Sequence, residues 1–506
     1  MGLYDLSFYD LINRNAVTFA GCTCWCEVDD DRQLTFDEYK NQVDILAAGL
    51  AQTGIQKGDR IGVVGKNSLE FFLIYGAAAF LGAIVLPINW RLSIDEICYN
   101  LNDCEAKLLF VDEEFQVIIA ENREKLFSVI EFFNLKEDKG KFLQFAPLMD
   151  SSFQINPADI ESSDGFVIIH TAAVAGQPRG ALLSHANMLN ANIHFAYYLG
   201  LTQDDVHLNL LPLCHVGGLF MVTSAFHAGG LNLNMSKFDA AVAVKLIEEK
   251  QVSVFFDFPP ILDSVLAAAA SENCDISSLN VIVGLGTPEV IEQFEKATGG
   301  KYYVMYGQTE TSCLVTMGKY SDMPGSAGKT ILLADVELVD EFDKPVSVGE
   351  VGEITVRGPM VFLGYWGLDE DNGYAFRDGR HHTGDLGRFD TDGYLFYAGR
   401  KAEKELIKPG GENVYPAEVE KVVLQHPAIA KTVVIGVPDP KWKEGIKAVC
   451  QLNEGETVTT KELISFVGER IARFKKPQYV EFVEALPVTK EGSIDREAVK
   501  SLYGKA

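Results

Sequence analysis

The segment YGQTET, residues 306–311, places an aromatic face, a hydroxyl and a carboxylate within five residues of one another. Tyr306 is suited to flank a base, Thr309 to donate to a phosphate and Glu310 to hold Mg2+. Further along, HHTGDLGRFDTDGYLFYAGR, 381–400, supplies Asp385, a carboxylate matched to the two hydroxyls of a ribose. It also supplies Arg400, suited to a phosphate or ribose oxygen. The DTDG at 390–393 reads as a turn, because no Glu closes a calcium loop. HTAAVAGQPRGALLSH, 170–185, follows the apolar strand 165–169 and precedes a helix expected to start near Ser184, where α/β proteins bind phosphates. Its small residues let backbone N–H groups approach an anion, and Arg179 adds a charge-assisted clamp. Gly176 and Gly180 serve equally well as turn residues. PLCHVGGL, 212–219, sets His215 before a glycine pair, either at a pocket or as a structural histidine among apolar neighbours.

These residues need elements to hold them. Thr35 and Glu38 form a capping box ahead of a helix with Val43, Leu46, Ala47 and Leu50 on one face. A strand at 60–64 follows, and from there strand-like runs (KLLFVD, GFVIIH, VSVFFDF, LNVIVGL) alternate with helical stretches such as 240–250. That alternation predicts parallel sheets covered by helices. Beyond Gly325 short Val- and Ile-rich runs with Asp, Gly and Pro punctuation predict an antiparallel sheet or barrel. A charged connector, GRKAEKELIKPGGEN, begins at Gly399. After it come a helix at 416–424, a strand at 431–435, a helix at 460–471 and a strand at 479–482, a compact α+β unit of about a hundred residues.

Composition bounds the rest. The 506 residues predict about three domains, with a core large enough to need neither disulfides nor metals. Against 71 acidic residues stand 44 basic ones, a net charge of −27 that argues against nucleic-acid and anionic-membrane partners. The uncharged run 71–87 ends in proline and carries two glycines, so it predicts a buried helix, 69–81, and a buried strand, 83–87, with no transmembrane segment. The opening MGLYDLSFYDLINRN has no basic stretch followed by an apolar core, and with nine cysteines, an odd number, the expectation is a cytoplasmic protein with reduced thiols. Cys22, Cys24 and Cys26 alternate, and on a strand would share one face as small apolar side chains.

Taken in order, YGQTET, TGDLGRFDTDGYLFYAGR, GGENVYPAEVE, GVPDPKWKEGIKAV and PVTKEGSIDR resemble the motifs of the adenylate-forming superfamily of acyl-CoA synthetases, adenylation domains and luciferases, over nearly the whole chain. The resemblance implies an α/β fold, with a large N-terminal portion (1–400) of two α/β sandwich subdomains plus a β-barrel-like subdomain. A hinge connector (401–411) and a small mobile α+β C-terminal domain (412–506) would follow. It implies an AMP-forming acyl-CoA synthetase that uses ATP, Mg2+ and coenzyme A on an apolar alicyclic, aromatic or medium-chain carboxylic acid. A homodimer is compatible with it. By the same resemblance Gly286, Thr287, Pro288, Tyr306, Gly307 and Gln308 line the adenine, Asp385 and Arg400 hold the ribose, and Tyr397 joins the nucleotide site. Thr171, Ala172, Ala173, Gly176 and Arg179 form the phosphate loop, and Thr309 and Glu310 meet the α-phosphate and the metal. His215 gates the acyl pocket, Gly410 and Gly411 lie along the pantetheine tunnel, and Lys404 is the hinge.

Two departures stand out. The family's phosphate loop TSGTTGxPKG is TAAVAGQPRG here, with several hydroxyls lost and lysine replaced by arginine. The near-terminal PxTxxGK is PVTKEGS, so Ser493 stands where the family has the lysine that serves adenylation, and Lys490 is the nearby substitute. A degenerate relative that binds acyl-adenylate, acyl-CoA or AMP without efficient adenylation is the alternative, although such a binder has no need of Glu310. If Lys490 has taken over, Lys490→Ala lowers the adenylation half-reaction by about ten-fold or more and spares thioester formation, and Ser493→Lys raises adenylation. Single-turnover rates of the two half-reactions check this, and equal losses in both would make Lys490 structural.

Overall fold

The computed structural model describes residues 2–136, 140–150, 153–171, 178–401, 406–488 and 494–505. The chain divides into two compact units, one of Met1–Trp90, Asn100–Ile169 and Gly180–Gly399, the other of Arg91–Tyr99, His170–Arg179 and Arg400–Ala506.

The first unit is built on two large, mainly parallel sheets with antiparallel strands added at edges. In the seven-stranded sheet the strands Arg60–Val64, Ile84–Ile88, Leu108–Val111 and Glu131–Asn134 pair in parallel, and Gly364–Tyr365 closes one edge against Arg179–Ser184 in antiparallel sense. In the nine-stranded sheet Val206–Asn209, Leu231–Asn234, Val254–Asp257, Val281–Gly284 and Lys301–Tyr306 run parallel. The early hairpin of Thr23–Glu27 and Gln33–Thr35 ends this sheet, with Thr23–Glu27 parallel to Leu231–Asn234.

Side-chain alternation in the parallel strands fixes the layers. Val254, Phe256 and Val283 enter the larger core with the helices Phe36–Gln52, Leu69–Leu81, His185–Leu199 and Val216–Ala228, whereas Phe255 and Ile282 pack with Ala240–Lys250, Ile261–Glu272 and Pro288–Thr298. All thirteen residues of Leu69–Leu81 are buried, as the uncharged run predicts. No helix among the described residues is long and apolar enough to cross a membrane. The segment after Gly325 forms a four-stranded sheet, Asp335–Val339, Gly352–Arg357, His381–Phe389 and Leu395–Arg400 in that order.

The second unit carries a three-stranded sheet. Ile429–Asp439 and Lys443–Leu452 are antiparallel, and Tyr479–Val483 runs parallel to the second. The helices Pro416–Val423 and Thr460–Gly468 cover one face, with Val434, Ala448 and Cys450, and Val499 of Arg496–Tyr503 packs on Val433, Ile435 and Val437 of the other. Lys475, buried, pairs with Glu96 (2.5 Å) and Glu418 (2.7 Å). The first strand runs on past the expected 435 through Pro438, tolerated because the strand lies at the sheet edge. The helix expected to reach 471 stops at Gly468, and the Ala472 N–H donates to the Glu96 carboxylate instead of a helical carbonyl.

One further expectation is corrected. Cys22, Cys24 and Cys26 do not share a face. The pairing with Gln33–Thr35 shifts register between Thr23 and Trp25, so Cys24 enters one core, Cys26 the other, and Cys22 is exposed. The helix expected to start near Ser184 begins at His185, capped by Ser184 and Asn187, and the sequence reading leaves unmentioned the strand Arg179–Ser184 that precedes it.

Gly49, inside the helix Phe36–Gln52, sits so close to the chain at 148 that a Cβ there would lie 2.2 Å from the Leu148 carbonyl oxygen. Gly→Ala within a helix ordinarily stabilises by about 1 kcal/mol. Here backbone overlap reverses the sign, and Gly49→Ala destabilises by about 1–3 kcal/mol. A lowered thermal unfolding midpoint for the variant checks this.

Candidate active site

The strand Lys301–Tyr306 ends at Tyr306, and the chain then folds back on itself. The Cys313 N–H donates to the Gln308 carbonyl (2.9 Å) and the Val315 N–H to that of Tyr306 (2.7 Å). The return needs left-handed backbone at Ser312 (φ 52°) and Cys313 (φ 83°). It also needs a glycine at 307, where a Cβ would lie 2.0 Å from the Cys313 carbonyl oxygen. Within the turn Thr309–Thr311 is one short helical turn, and the Gln308 N–H donates to the Thr311 hydroxyl (2.9 Å).

This turn faces Asp385, which is only 1% exposed. The Tyr306 hydroxyl donates to Asp385 Oδ2 (2.8 Å), and Gln308 Nε2 donates both to that oxygen (2.5 Å) and to the Thr383 carbonyl (3.0 Å). The Tyr397 hydroxyl stands 3.4 Å from Oδ1, its ring 6.2 Å from that of Tyr306. Glu310, 9% exposed, receives the Tyr365 hydroxyl on Oε1 (2.8 Å), and its carbonyl accepts from the Phe362 N–H. One oriented carboxylate suits Mg2+, which takes most of its ligands from phosphates and water, so the donor set fits that ion.

The 284–288 segment is anchored by a buried network that the sequence does not reveal. The Tyr302 hydroxyl donates to Asp257 Oδ2 (2.9 Å) and accepts the Gly286 N–H (2.5 Å). Burial beside the Asp257 carboxylate pushes the Tyr302 hydroxyl pKa well up, so it stays a donor. Thr287 is the N-cap and Pro288 the first residue of the helix Pro288–Thr298. His215 is the N-cap of Val216–Ala228 without a side-chain cap bond, and its Nε2 lies 3.4 Å from Asn89 Nδ2. The loop before it is held by buried Asn67, which accepts from the Leu213 N–H (2.8 Å) and donates to the carbonyls of Leu211 (2.9 Å) and Met235 (3.2 Å).

Tyr306, Gly307, Gln308, Thr309, Glu310, Asp385 and Tyr397 are thus brought together in the first unit, with Gly286, Thr287 and Pro288 following the adjacent strand Val281–Gly284 and His215 following Val206–Asn209 of the same sheet. The remaining expected residues fall in the second unit or outside the described residues. In the second unit the Thr171 hydroxyl lies 3.5 Å from the Arg179 carbonyl oxygen, and Arg400 Nη1 lies 3.5 Å from the Tyr415 hydroxyl. Gly410 (φ 57°) packs so near Trp442 that a Cβ would meet the indole at 2.7 Å, and Gly411 follows in the same short helical turn, Pro409–Gly411. Ala172, Ala173, Gly176, Lys404, Lys490 and Ser493 lie outside the described residues. Thr383 and Tyr365 are the site partners that residue type alone leaves unnoticed, although Thr383 sits two places before Asp385.

The site thus holds two buried carboxylates, Asp385 bonded by Tyr306 and Gln308, and Glu310 on the turn that carries those two donors. The AMP-binding enzyme family matches residues 12–366, and the AMP-binding enzyme C-terminal domain matches residues 418–493. An indoleacetate–CoA ligase of Aromatoleum aromaticum is 32% identical over 94% of this chain and 94% of its own. A feruloyl-CoA synthase of an Amycolatopsis species is 31% identical over 93% and 94%. Among solved structures, o-succinylbenzoate CoA synthetase from Bacillus subtilis superposes with a TM-score of 0.86 at 25% identity, over 97% of each chain. A fatty acyl CoA synthetase of Mycobacterium tuberculosis gives 0.74 at 27% identity, over 98% of each. The chain belongs to the AMP-binding enzyme family of the adenylate-forming superfamily, as an ATP-dependent acid–thiol ligase.

Asp385→Ala strips Tyr306 and Gln308 of their shared acceptor. If Asp385 is the ribose acceptor that the family resemblance implies, the variant weakens AMP binding by about ten-fold or more, because a carboxylate accepting from two hydroxyls has no close substitute. Calorimetric titration with AMP checks this, and unchanged affinity would remove Asp385 from the nucleotide site.

Proposed function

We propose that this ligase activates an apolar, ring-bearing carboxylic acid with Mg-ATP and passes the acyl group to coenzyme A. The observation that carries the reading is the Tyr306–Gln308–Asp385 network with Glu310 on the same turn. One tight loop presents an aromatic face and a carboxylate suited to a metal, and it packs against Asp385, the diol acceptor of the strand His381–Phe389. The named acids of the relatives support the substrate class, since indoleacetate and ferulate each carry a ring. Cytoplasmic action fits such a metabolic role.

In the first half-reaction a substrate carboxylate oxygen attacks the α-phosphorus and pyrophosphate leaves. In the second the coenzyme A thiolate attacks the acyl carbon and AMP leaves. Tyr306 and the 286–288 segment flank the adenine, Asp385 and Arg400 take the ribose hydroxyls, Tyr397 borders the nucleotide, and Thr309 donates to the α-phosphate. Glu310, oriented by Tyr365, holds the Mg2+, which when bound offsets charge developing on the transferred phosphate. Thr171 and Arg179, with the loop between them, contact the phosphates, and Lys490 supplies the cation that Ser493 lacks. His215 borders the acyl pocket on a loop fixed by Asn67, and Gly410 and Gly411 admit the pantetheine. Residues 1–400 bind the acid and nucleotide, 401–411 with Lys404 act as hinge, and 412–506 move between the half-reactions.

Ser493 and the hydroxyl-poor loop 171–180 favour one competing reading, a binder of acyl-adenylate or acyl-CoA that adenylates poorly. AMP release that depends jointly on ATP, coenzyme A and a ring-bearing acid separates the two, and nucleotide binding without AMP release selects the binder. Glu310→Gln lowers adenylation by about two orders of magnitude at limiting Mg2+, with an unchanged unfolding midpoint. Pyrophosphate release across a Mg2+ series checks this, and unchanged turnover contradicts the assignment.

A further inference from the structure

Asp385 does not sit in a regular ladder. The strand Gly352–Arg357 pairs Glu353 with Leu386 and Thr355 with His382, so Ile354 alone faces three residues, Thr383, Gly384 and Asp385. The triplet bulges out of the sheet, and a bulge leaves backbone groups that need other partners. Side chains supply them. The Thr383 hydroxyl donates to the Ile354 carbonyl (2.7 Å) and accepts the Asp385 N–H (3.1 Å). Gly384, in left-handed conformation (φ 69°), donates its N–H to Glu353 Oε1 (2.9 Å).

Glu353 is itself 3% exposed, and its other oxygen is fixed from two sides. Arg377 Nη2 donates to Oε2 (3.1 Å), and His382 Nδ1 lies 3.1 Å from the same atom. Arg377 is anchored in turn by Asp343, through Nε to Oδ2 (2.9 Å) and Nη2 to Oδ1 (3.0 Å). Asp343, Glu353 and His382 lie close enough together to suggest a metal site, but the guanidinium already sits between the two carboxylates and neutralises them.

We infer that Glu353 is a positioning residue for the nucleotide. Clamped by Arg377 and His382, it holds the Gly384 amide and so fixes the bulge that carries the Asp385 carboxylate to the ribose hydroxyls. The inference rests on the reading of Asp385 as the ribose acceptor. Glu353 touches no substrate. Its effect appears as discrimination between nucleotides that differ by one ribose hydroxyl. Glutamine has the shape of glutamate, but its amide sets a donor or an uncharged oxygen against Arg377 and His382, which loosens the clamp.

The experiment measures kcat/KM for ATP, 2′-deoxy-ATP and 3′-deoxy-ATP in wild type, Glu353→Gln and Arg377→Gln, with the KM for coenzyme A as control. Wild type is expected to favour ATP over at least one deoxy analogue by about ten-fold, the worth of one well-placed hydrogen bond. In Glu353→Gln that ratio should fall by about three-fold or more while the KM for coenzyme A holds, the mark of coupling between the side chain and the hydroxyl. Should Glu353→Gln fail to fold, Arg377→Gln, at a partly exposed site, carries the same expectation. An equal loss for all three nucleotides, with the wild-type ratio retained, overturns the inference and leaves the ribose reading standing. A wild-type ratio near one overturns the ribose reading, and the inference with it.

Discussion

A carboxylate as enclosed as Asp385 is tolerable only where donors replace the water it has lost. That requirement orders the site around it. Tyr306 and Gln308 reach the same oxygen from the end of one strand and the start of the turn beyond it. For both to arrive there, the turn must double back over Gly307, with two consecutive residues in left-handed conformation. Strain of this kind, on the order of 1–3 kcal/mol per residue, persists only where surrounding contacts over-determine it. The backbone bonds at Tyr306 and Gln308 and the Ser312 hydroxyl bond to the Met360 carbonyl (2.6 Å) supply that determination.

Much of this was legible in the amino-acid order, for reasons that differ by element. Leu69–Leu81 is readable because a helix buried on every side has no polar stripe to place, and its bounds follow from Ser68 as N-cap and Gly82 as left-handed C-cap. The helix Phe36–Gln52 is readable because the Thr35–Glu38 capping box and the apolar face say the same thing. Residue types alone nominate Tyr306, Thr309, Glu310 and Asp385. Nothing local says that Gln308 and Tyr306 converge on one oxygen of Asp385, a contact across some eighty positions of chain.

What the amino-acid order hides shares a cause as well. RGALLS after the glycine loop has no alternation strong enough to announce a strand, and its pairing with Gly364–Tyr365 shows it to be one, ahead of the helix that does begin where Ser184 marks it. The alternation of Cys22, Cys24 and Cys26 assumes an unbroken strand, and one register shift against Gln33–Thr35 sends two thiols into different cores. Glu353 was invisible for the same reason. In GEITVRGP it reads as the polar half of an alternating strand, and its burial follows from a bulge in the strand beside it.

The two oxygens of Asp385 are held unequally, and on the proposed reading the inequality has a use. Oδ2 takes two short bonds, from buried Tyr306 and half-buried Gln308, whereas the Tyr397 hydroxyl stands 3.4 Å from Oδ1 on a residue 49% exposed. A ribose arriving at Oδ1 displaces a long bond that solvent already weakens, and leaves the pair on Oδ2 intact. The carboxylate keeps its orientation whether or not nucleotide is present, because its anchors lie in the turn and the bulge. A site arranged in this way spends little of its binding energy on ordering itself, and more of it remains for discriminating the ribose it receives.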